Sequence, residues 1–187
     1  MIELAIRSET IANTISSYLD VHPDDRDSLA FVLELLQNGV DLISGSDERA
    51  LVTVGAILVD SFGRVLHVAD EGQWVLPAGP IEEDDVKLSH VALRVLTALP
   101  GVDSDGLCPI AVHPTHIHVH QTPECAKEGN QRRRVEIRYF YRASNGLLQR
   151  IIEAEGSNQL RMIWEDKTTL VVCRDPTGEG FPRSQHK

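Results

Sequence analysis

Four of the eight histidines of this chain fall in one short stretch, His113-Pro114-Thr115-His116-Ile117-His118-Val119-His120. On a β-strand alternate residues share a face, so His116, His118 and His120 are expected to project together while Ile117 and Val119 face the core. Neutral imidazoles suit zinc, iron, copper or nickel better than magnesium. Neighbouring same-face histidines stand ~6.6 Å apart along a strand, close enough for both rings to reach one ion, whereas the outer two are about 13 Å apart. A third ligand is therefore sought on another strand. There Arg132, Arg134, Glu136 and Arg138 alternate onto one face as well.

His116, His118 and Glu136 are thus the candidate ligands of a divalent transition metal, with His120 as a general acid or base. Arg132, Arg134 and Arg138 are candidates to grip a carboxylate or phosphate, since a guanidinium can meet either with two parallel hydrogen bonds. The same pattern also fits an anion pocket without a metal, or a merely polar sheet face. Further candidates lie upstream. Glu82-Glu83-Asp84-Asp85 is an acidic run in which Glu82 or Asp85 could act as a catalytic base; the competing reading is a set of solvated acids at a helix start, favoured there by the helix dipole. Trp74 either stacks a substrate or packs beside Val75 and Leu76.

The elements that must position these residues follow from periodicity. Ile11, Ile15 and Leu19 recur at helical spacing, and Leu29, Val32, Leu33 and Leu36 do so after Pro23, so residues 1–48 are expected to form a helical extension packed on the domain, with Gly39 as the stop. From Leu51 the pattern turns to β: Val52, Val54, Ile57 and Val59 run into a turn at Asp60-Ser61-Phe62-Gly63 and return through Arg64 to Val68. Gln73 to Leu76 reads as a short strand and Pro77 to Gly79 as a turn. Val86 to Leu99 reads as a helix with Leu88, Val91, Ala92, Val95, Leu96 and Leu99 on one stripe. Strands are expected over Ile110 to Gln121, Arg133 to Ala143 and Leu160 to Trp164, closing a domain over 49–174, with 175–187 as a frayed polar tail.

Composition narrows the classes. With 187 residues, 42% of them hydrophobic, the chain can bury a proper core. Its apolar runs stop short of the roughly 20 residues that cross a bilayer, and no basic segment followed by an apolar one opens it, so a soluble cytoplasmic protein with no membrane partner is expected. The three cysteines are widely spaced with no CxxC pair, which argues against a disulfide framework or a cysteine zinc site. A net charge of -10 repels phosphate backbones, so no nucleic-acid partner is expected.

The segment Trp74-Val75-Leu76-Pro77-Ala78-Gly79-Pro80-Ile81-Glu82 is similar to the W-x-L-P-G-G-x-x-E entry of a Nudix box. With the order strand, hairpin, strand, Pro-x-Gly, helix and two long strands, residues 50 to 172 resemble a Nudix domain, which implies an α+β fold with a mixed sheet between helices. Tyr18 to Asp25 also looks like the helical lead-in of a bacterial Nudix subfamily. In the family pattern G-x5-E-x7-REUxEE-x-GU, carboxylates on one helical face hold magnesium, a hard ion that wants oxygen ligands. Gly79 matches the opening glycine and Asp85 the first glutamate; with one residue inserted before the helix, Arg94 matches the arginine and Gly101-Val102 the closing pair. The three glutamates then fall on Val95, Ala98 and Leu99, or on Arg94, Thr97 and Ala98 if the register slides by one. Neither register supplies ligands, so magnesium is not expected at the box. The resemblance also implies that the histidine strand borders the pocket and that Glu136 and Arg138 keep the character of an H-x-H-x-D-x-R stretch.

Three functions remain in view: a repurposed Nudix-fold enzyme acting on a small anionic metabolite, with or without a histidine-held metal; a non-catalytic ligand-binding or regulatory domain; and a residual pyrophosphohydrolase. Substrate, reaction type and oligomeric state, a homodimer included, are left open by the sequence.

Overall fold

A computed structural model describes residues 5–44, 49–70, 73–121, 133–155 and 162–166. Arg132, Cys125, Cys173, the loop expected over Pro123 to Gln131, the segment following Asp166 and the expected tail from Asp175 lie outside the described residues.

The N-terminal periodicity becomes α1 (Ser8–Val21) and α2 (Arg26–Gln37), joined by a single 3-10 turn that opens with Pro23, where a missing amide donor costs nothing. Ile11, Ile15, Leu29 and Val32 are fully buried in one cluster with Val52, Val54 and Ile137 of the sheet. Gly39 follows α2 with φ of 73°, the left-handed conformation that lets the last turn close. Arg133 lies over the Phe31 ring at 4.3 Å and ties α2 to the far sheet strand.

The sheet is built on β1 (Ala50–Val59), whose burial on both faces marks it as central. β1 runs parallel to β7 (Arg133–Ala143) over ten residue pairs, from Ala50 opposite Arg133 to Val59 opposite Arg142. Every other pairing is antiparallel. β2 (Arg64–Asp70) returns from β1 through a turn in which Asp60 accepts from the Phe62 and Arg64 amides, at 2.9 and 2.8 Å, and from Arg64 Nε at 2.7 Å. β3 (Gln73–Val75) and β8 (Met162–Asp166) pair with β2, β4 (Ala78–Pro80) pairs with β1, and β5 (Leu107–Pro109) and β6 (His116–Gln121) pair with β7. The result is a mixed eight-stranded sheet flanked by α3 (Leu88–Thr97) and α4 (Asn145–Glu155), the α+β class implied by the resemblance.

Several expectations need correction. Ala78 to Pro80 is strand rather than turn, because β2 diverges from β1 after the hairpin and leaves the β1 edge at Thr53 to Gly55 for β4. The strand expected from Ile110 starts only at His116, so His113 is exposed and off the ladder. α3 begins at Leu88 and ends at Thr97, shorter at both ends than Val86 to Leu99, because Lys87 is extended (φ -142°, ψ 140°). The last strand is observed over Met162–Asp166, and Leu160 and Arg161 lie outside the described residues. α4 was not expected, although Ser144 caps it by accepting from the Leu147 amide at 3.2 Å, and Leu147 and Ile151 are fully buried. No helix among the described residues is long and apolar enough to cross a membrane.

Candidate functional site

Where β2 and β3 splay away from β1, a cavity of about 650 Å³ opens between that wing, α3 and the β6–β7 face. One wall is the face singled out by the sequence. β6 pairs with β7 so that His118 stands opposite Glu136, His120 opposite Arg134 and His116 opposite Arg138. His118, His120, Arg134, Glu136 and Arg138 line the cavity. The rings of His116 and His118 stack at 5.9 Å and those of His118 and His120 at 5.4 Å. His116 is not among the lining residues: alternation fixes which face a residue occupies, not how far along the strand the cavity reaches.

Glu136 is already engaged. Its carboxylate accepts from Arg138 Nε at 2.6 Å, and the pair is nearly inaccessible to solvent. The approach requires Gly55, opposite Arg138 on β1, since a Cβ there would lie 2.8 Å from Glu136 Oε1 and 3.1 Å from the Pro77 carbonyl oxygen. Two polar atoms of this wall, His120 Nδ1 and Arg134 Nε, are buried with no hydrogen-bond partner among the described residues. A buried orphan donor or acceptor costs about 1–3 kcal/mol, and a bound polar group is one way to recover it.

Burial and the Arg138 guanidinium hold His118 below the ordinary imidazole value, against the opposing pull of Glu136. Burial does the same at His120, again opposed by Glu136 and reinforced by His118, Arg134 and Arg138. Both rings are therefore neutral at neutral pH. An unfolded chain takes up these protons at its ordinary values near ~6.5 while the folded chain resists them, so stability present above that pH is lost as pH falls below it. Denaturant midpoints recorded between neutral and mildly acidic pH should decline in the wild type and decline less in a His118→Gln, His120→Gln variant. Equal slopes would show that these two rings are not the source.

The opposite wall carries the box. Val95, Ala98 and Leu99, the positions that fall on the magnesium-binding glutamates in the first register, line the cavity with Val75, Leu76 and Pro77, and Arg94 lines it beside them. Trp74 stands on β3 at the rim, 38% exposed. Glu82 and Asp85 do not line this cavity, and the acids do not sit in the first turn of α3. They form a loop gripped by Arg94, whose guanidinium donates to Glu82 Oε1 at 2.6 Å, to Asp85 Oδ2 at 2.7 Å and to the Pro80 carbonyl at 2.8 Å. Magnesium does not fit a box so arranged: the platform is apolar and the surviving carboxylates are spent on an arginine. Among the described residues no group of three or more His, Cys, Asp or Glu side chains is gathered as a metal site. His116 is outside the cavity and Glu136 is held by Arg138.

β1, its hairpin to β2, the short β3, the Pro77-x-Gly79 segment, α3 and then the paired β6 and β7 follow one another along the chain. That element order is the one that the resemblance of residues 50–172 to a Nudix domain implies. No protein-family model and no curated relative matches the chain. Among solved structures it is similar to the E. coli dihydroneopterin triphosphate pyrophosphohydrolase, at 14% identity and a TM-score of 0.46, covering 65% of this chain and 84% of that one. It is similar to a NUDIX hydrolase from Nitrosomonas europaea at 18% identity and a TM-score of 0.40, over 67% and 80% of the two chains. It is also similar to Shewanella oneidensis NrtR at 20% identity and a TM-score of 0.42; there the match covers 64% of this chain and about half, 53%, of that one.

Sequence reasoning missed His67 of β2 and Glu165 of β8, which also line the cavity. They are single residues on strands nearly a hundred positions apart in the chain, and no local pattern joins them.

Proposed function

We propose that this Nudix-type protein binds a small anionic metabolite in the cavity between α3 and the β6–β7 face, and that it does not hydrolyse a pyrophosphate through magnesium. The observation that supports this reading is the replacement of the box carboxylates by an apolar wall of Val95, Ala98 and Leu99, facing Arg134, Arg138 and two neutral imidazoles. Carboxylates there would repel an anion in the absence of a metal; an apolar wall lowers the local dielectric and strengthens the pull of the arginines instead. A volume of about 650 Å³ lies within the range of small-molecule sites.

A ligand-binding or regulatory domain needs nothing more. One observation favours a catalytic variant of the reading: His118 and His120 are neutral and beside the arginines, so either could take a proton from a ligand anchored there. Zinc, iron, copper or nickel would enter only through His118 and His120, with a third ligand brought by the ligand itself or by residues beyond those described.

Titration calorimetry with inorganic phosphate and with small carboxylic acids tests the proposal. Arg134→Lys or Arg138→Lys should weaken binding about tenfold, more than the retained charge suggests, because the planar fork is lost. Hydrolysis of ADP-ribose with millimolar magnesium should be negligible and insensitive to Glu82→Gln, and elemental analysis of protein purified without chelator reads the metal directly. Ordinary turnover of ADP-ribose that Glu82→Gln abolishes, or anion binding indifferent to both arginines, sinks the reading.

A further inference from the structure

The charges that line the cavity cancel in number. Arg94, Arg134 and Arg138 are matched by Asp70, Glu136 and Glu165, three of each sign among the described lining residues. Two of the arginines are already neutralised at contact distance: Arg138 Nε lies 2.6 Å from the Glu136 carboxylate, and Arg94 lies 2.6 Å from that of Glu82 and 2.7 Å from that of Asp85. His118 and His120 add no charge, since both are neutral at neutral pH. Arg134 differs. Among the described residues it forms no ion pair, and its buried Nε has no hydrogen-bond partner.

That surplus of one guanidinium limits what the cavity can hold. A phosphate monoester carries a charge of about -1.5 to -2 at neutral pH, and a diphosphate carries more. Without a metal, the second charge of such a ligand would be desolvated beside Glu136 and Glu165 with no counter-ion, which is costly. A carboxylate brings a single charge and two acceptor oxygens, enough for one planar guanidinium fork.

The apolar surface of the cavity adjoins the basic face. On β1, Gly55 stands opposite Ala78 of β4 on one side and Arg138 of β7 on the other. A Cβ on Gly55 would lie 2.8 Å from Glu136 Oε1 and 3.3 Å from Ala78 Cβ, so the Glu136–Arg138 pair and the apolar segment ending in Ala78 meet over one backbone position. Val95, Ala98 and Leu99, which also line the cavity, are incompletely covered. Uncovered apolar surface inside a cavity favours a ligand with an apolar body. From this we infer that the cavity selects a monoanionic carboxylic acid with an apolar body, held by its carboxylate at Arg134, and discriminates against phosphate esters and diphosphates. The inference rests on the reading that the basic face holds an anion, and adds the charge and the body of that anion.

The test is titration calorimetry on the full chain at a pH of about 8, where phosphate monoesters are dianions. It compares ω-phenylalkanoic acids of increasing chain length, the alkanoic acids without the ring, and ω-phenylalkyl phosphates of matched length. The best phenylalkanoate should bind at least about tenfold tighter than the ringless acid, and about tenfold tighter than the matched phosphate. Glu136→Gln, which leaves the Arg138 charge unbalanced, should narrow the gap to the phosphate about tenfold. Val95→Glu should remove the advantage of the ring, and Arg134→Gln should weaken every acid. Denaturant midpoints close to wild type establish that each variant is folded. On the wild type alone, phosphates that bind as tightly as the matched acids, or a ring that adds nothing at any length, overturn this inference and leave the anion-binding proposal standing. Failure of all three series to bind overturns the two together.

Discussion

Replacing Arg94 with Met should cost about 2–3 kcal/mol of folding stability, read as a lowered denaturant midpoint with unchanged slope. The guanidinium ties together the loop that follows β4, donating to Glu82, to Asp85 through both Nε and a terminal nitrogen, and to the Pro80 carbonyl, where the backbone adds only the Ile6 amide to the Asp85 carbonyl and the Asp85 amide to the Glu82 carbonyl. Asp85 is nearly buried and also accepts from the Glu82 amide at 2.8 Å. Burial pushes its carboxyl up, but the Arg94 hydrogen bonds and that amide outweigh the push and hold it below its ordinary value. Without Arg94 a carboxylate is left desolvated and unpaired. The cost is set below that of a fully buried pair because Arg94 is about a third exposed. A depressed carboxylate contributes stability above its unfolded value, lost as pH falls through the folded one, so Arg94→Met should also shrink the loss of stability at strongly acidic pH. Arg94→Lys should restore only part, and adding Asp85→Asn to Arg94→Met should recover some of the loss. A full-strength Arg94→Met protein would show the loop to be held by packing instead.

Gly101→Ala should be at least as damaging, about 3 kcal/mol or more, a drop of roughly 6–12 °C in Tm for a chain of this size. Two costs coincide at this position. Gly101 has φ of 74°, where a side chain costs about 1–2 kcal/mol. A Cβ would also lie 2.6 Å from the Arg150 carbonyl oxygen and 3.0 Å from Ala154 Cβ, so α4 would have to move. Gly101→Asn separates the two, since asparagine tolerates the left-handed conformation but keeps the Cβ. If Asn restores wild-type stability, crowding against α4 is not part of the cost.

The parts of the fold legible in the sequence were those with a local period. Ile11, Ile15 and Leu19, and then Leu29 and Val32, announce two helices, and the apolar stripe of Leu88, Val91, Ala92 and Leu96 announces a third. Alternation placed His118, His120, Arg134, Glu136 and Arg138 on facing strands, but it could not say that the cavity stops short of His116 or that Arg138 already occupies Glu136. α4 was overlooked although Ser144 and the spacing of Leu147, Leu148 and Ile151 carried its signal. His67 and Glu165 carried none, because only the β2–β8 pairing brings them together.

The parallel pairing of β1 with β7 has a consequence for the order in which the chain can fold. β1 leaves the ribosome early, but β7, its partner over ten residue pairs, follows only after the hairpin, α3 and β6 have been made. Until then one edge of the most apolar strand is open, and only local contacts such as the hairpin and the α1–α2 pair can form. Folding is therefore expected to be slow for a chain of this length and to end with a single late closure that docks β7 and completes both cavity walls. Fragments ending before Arg133 should aggregate through β1, and amides at the centre of β1 should exchange only with global unfolding.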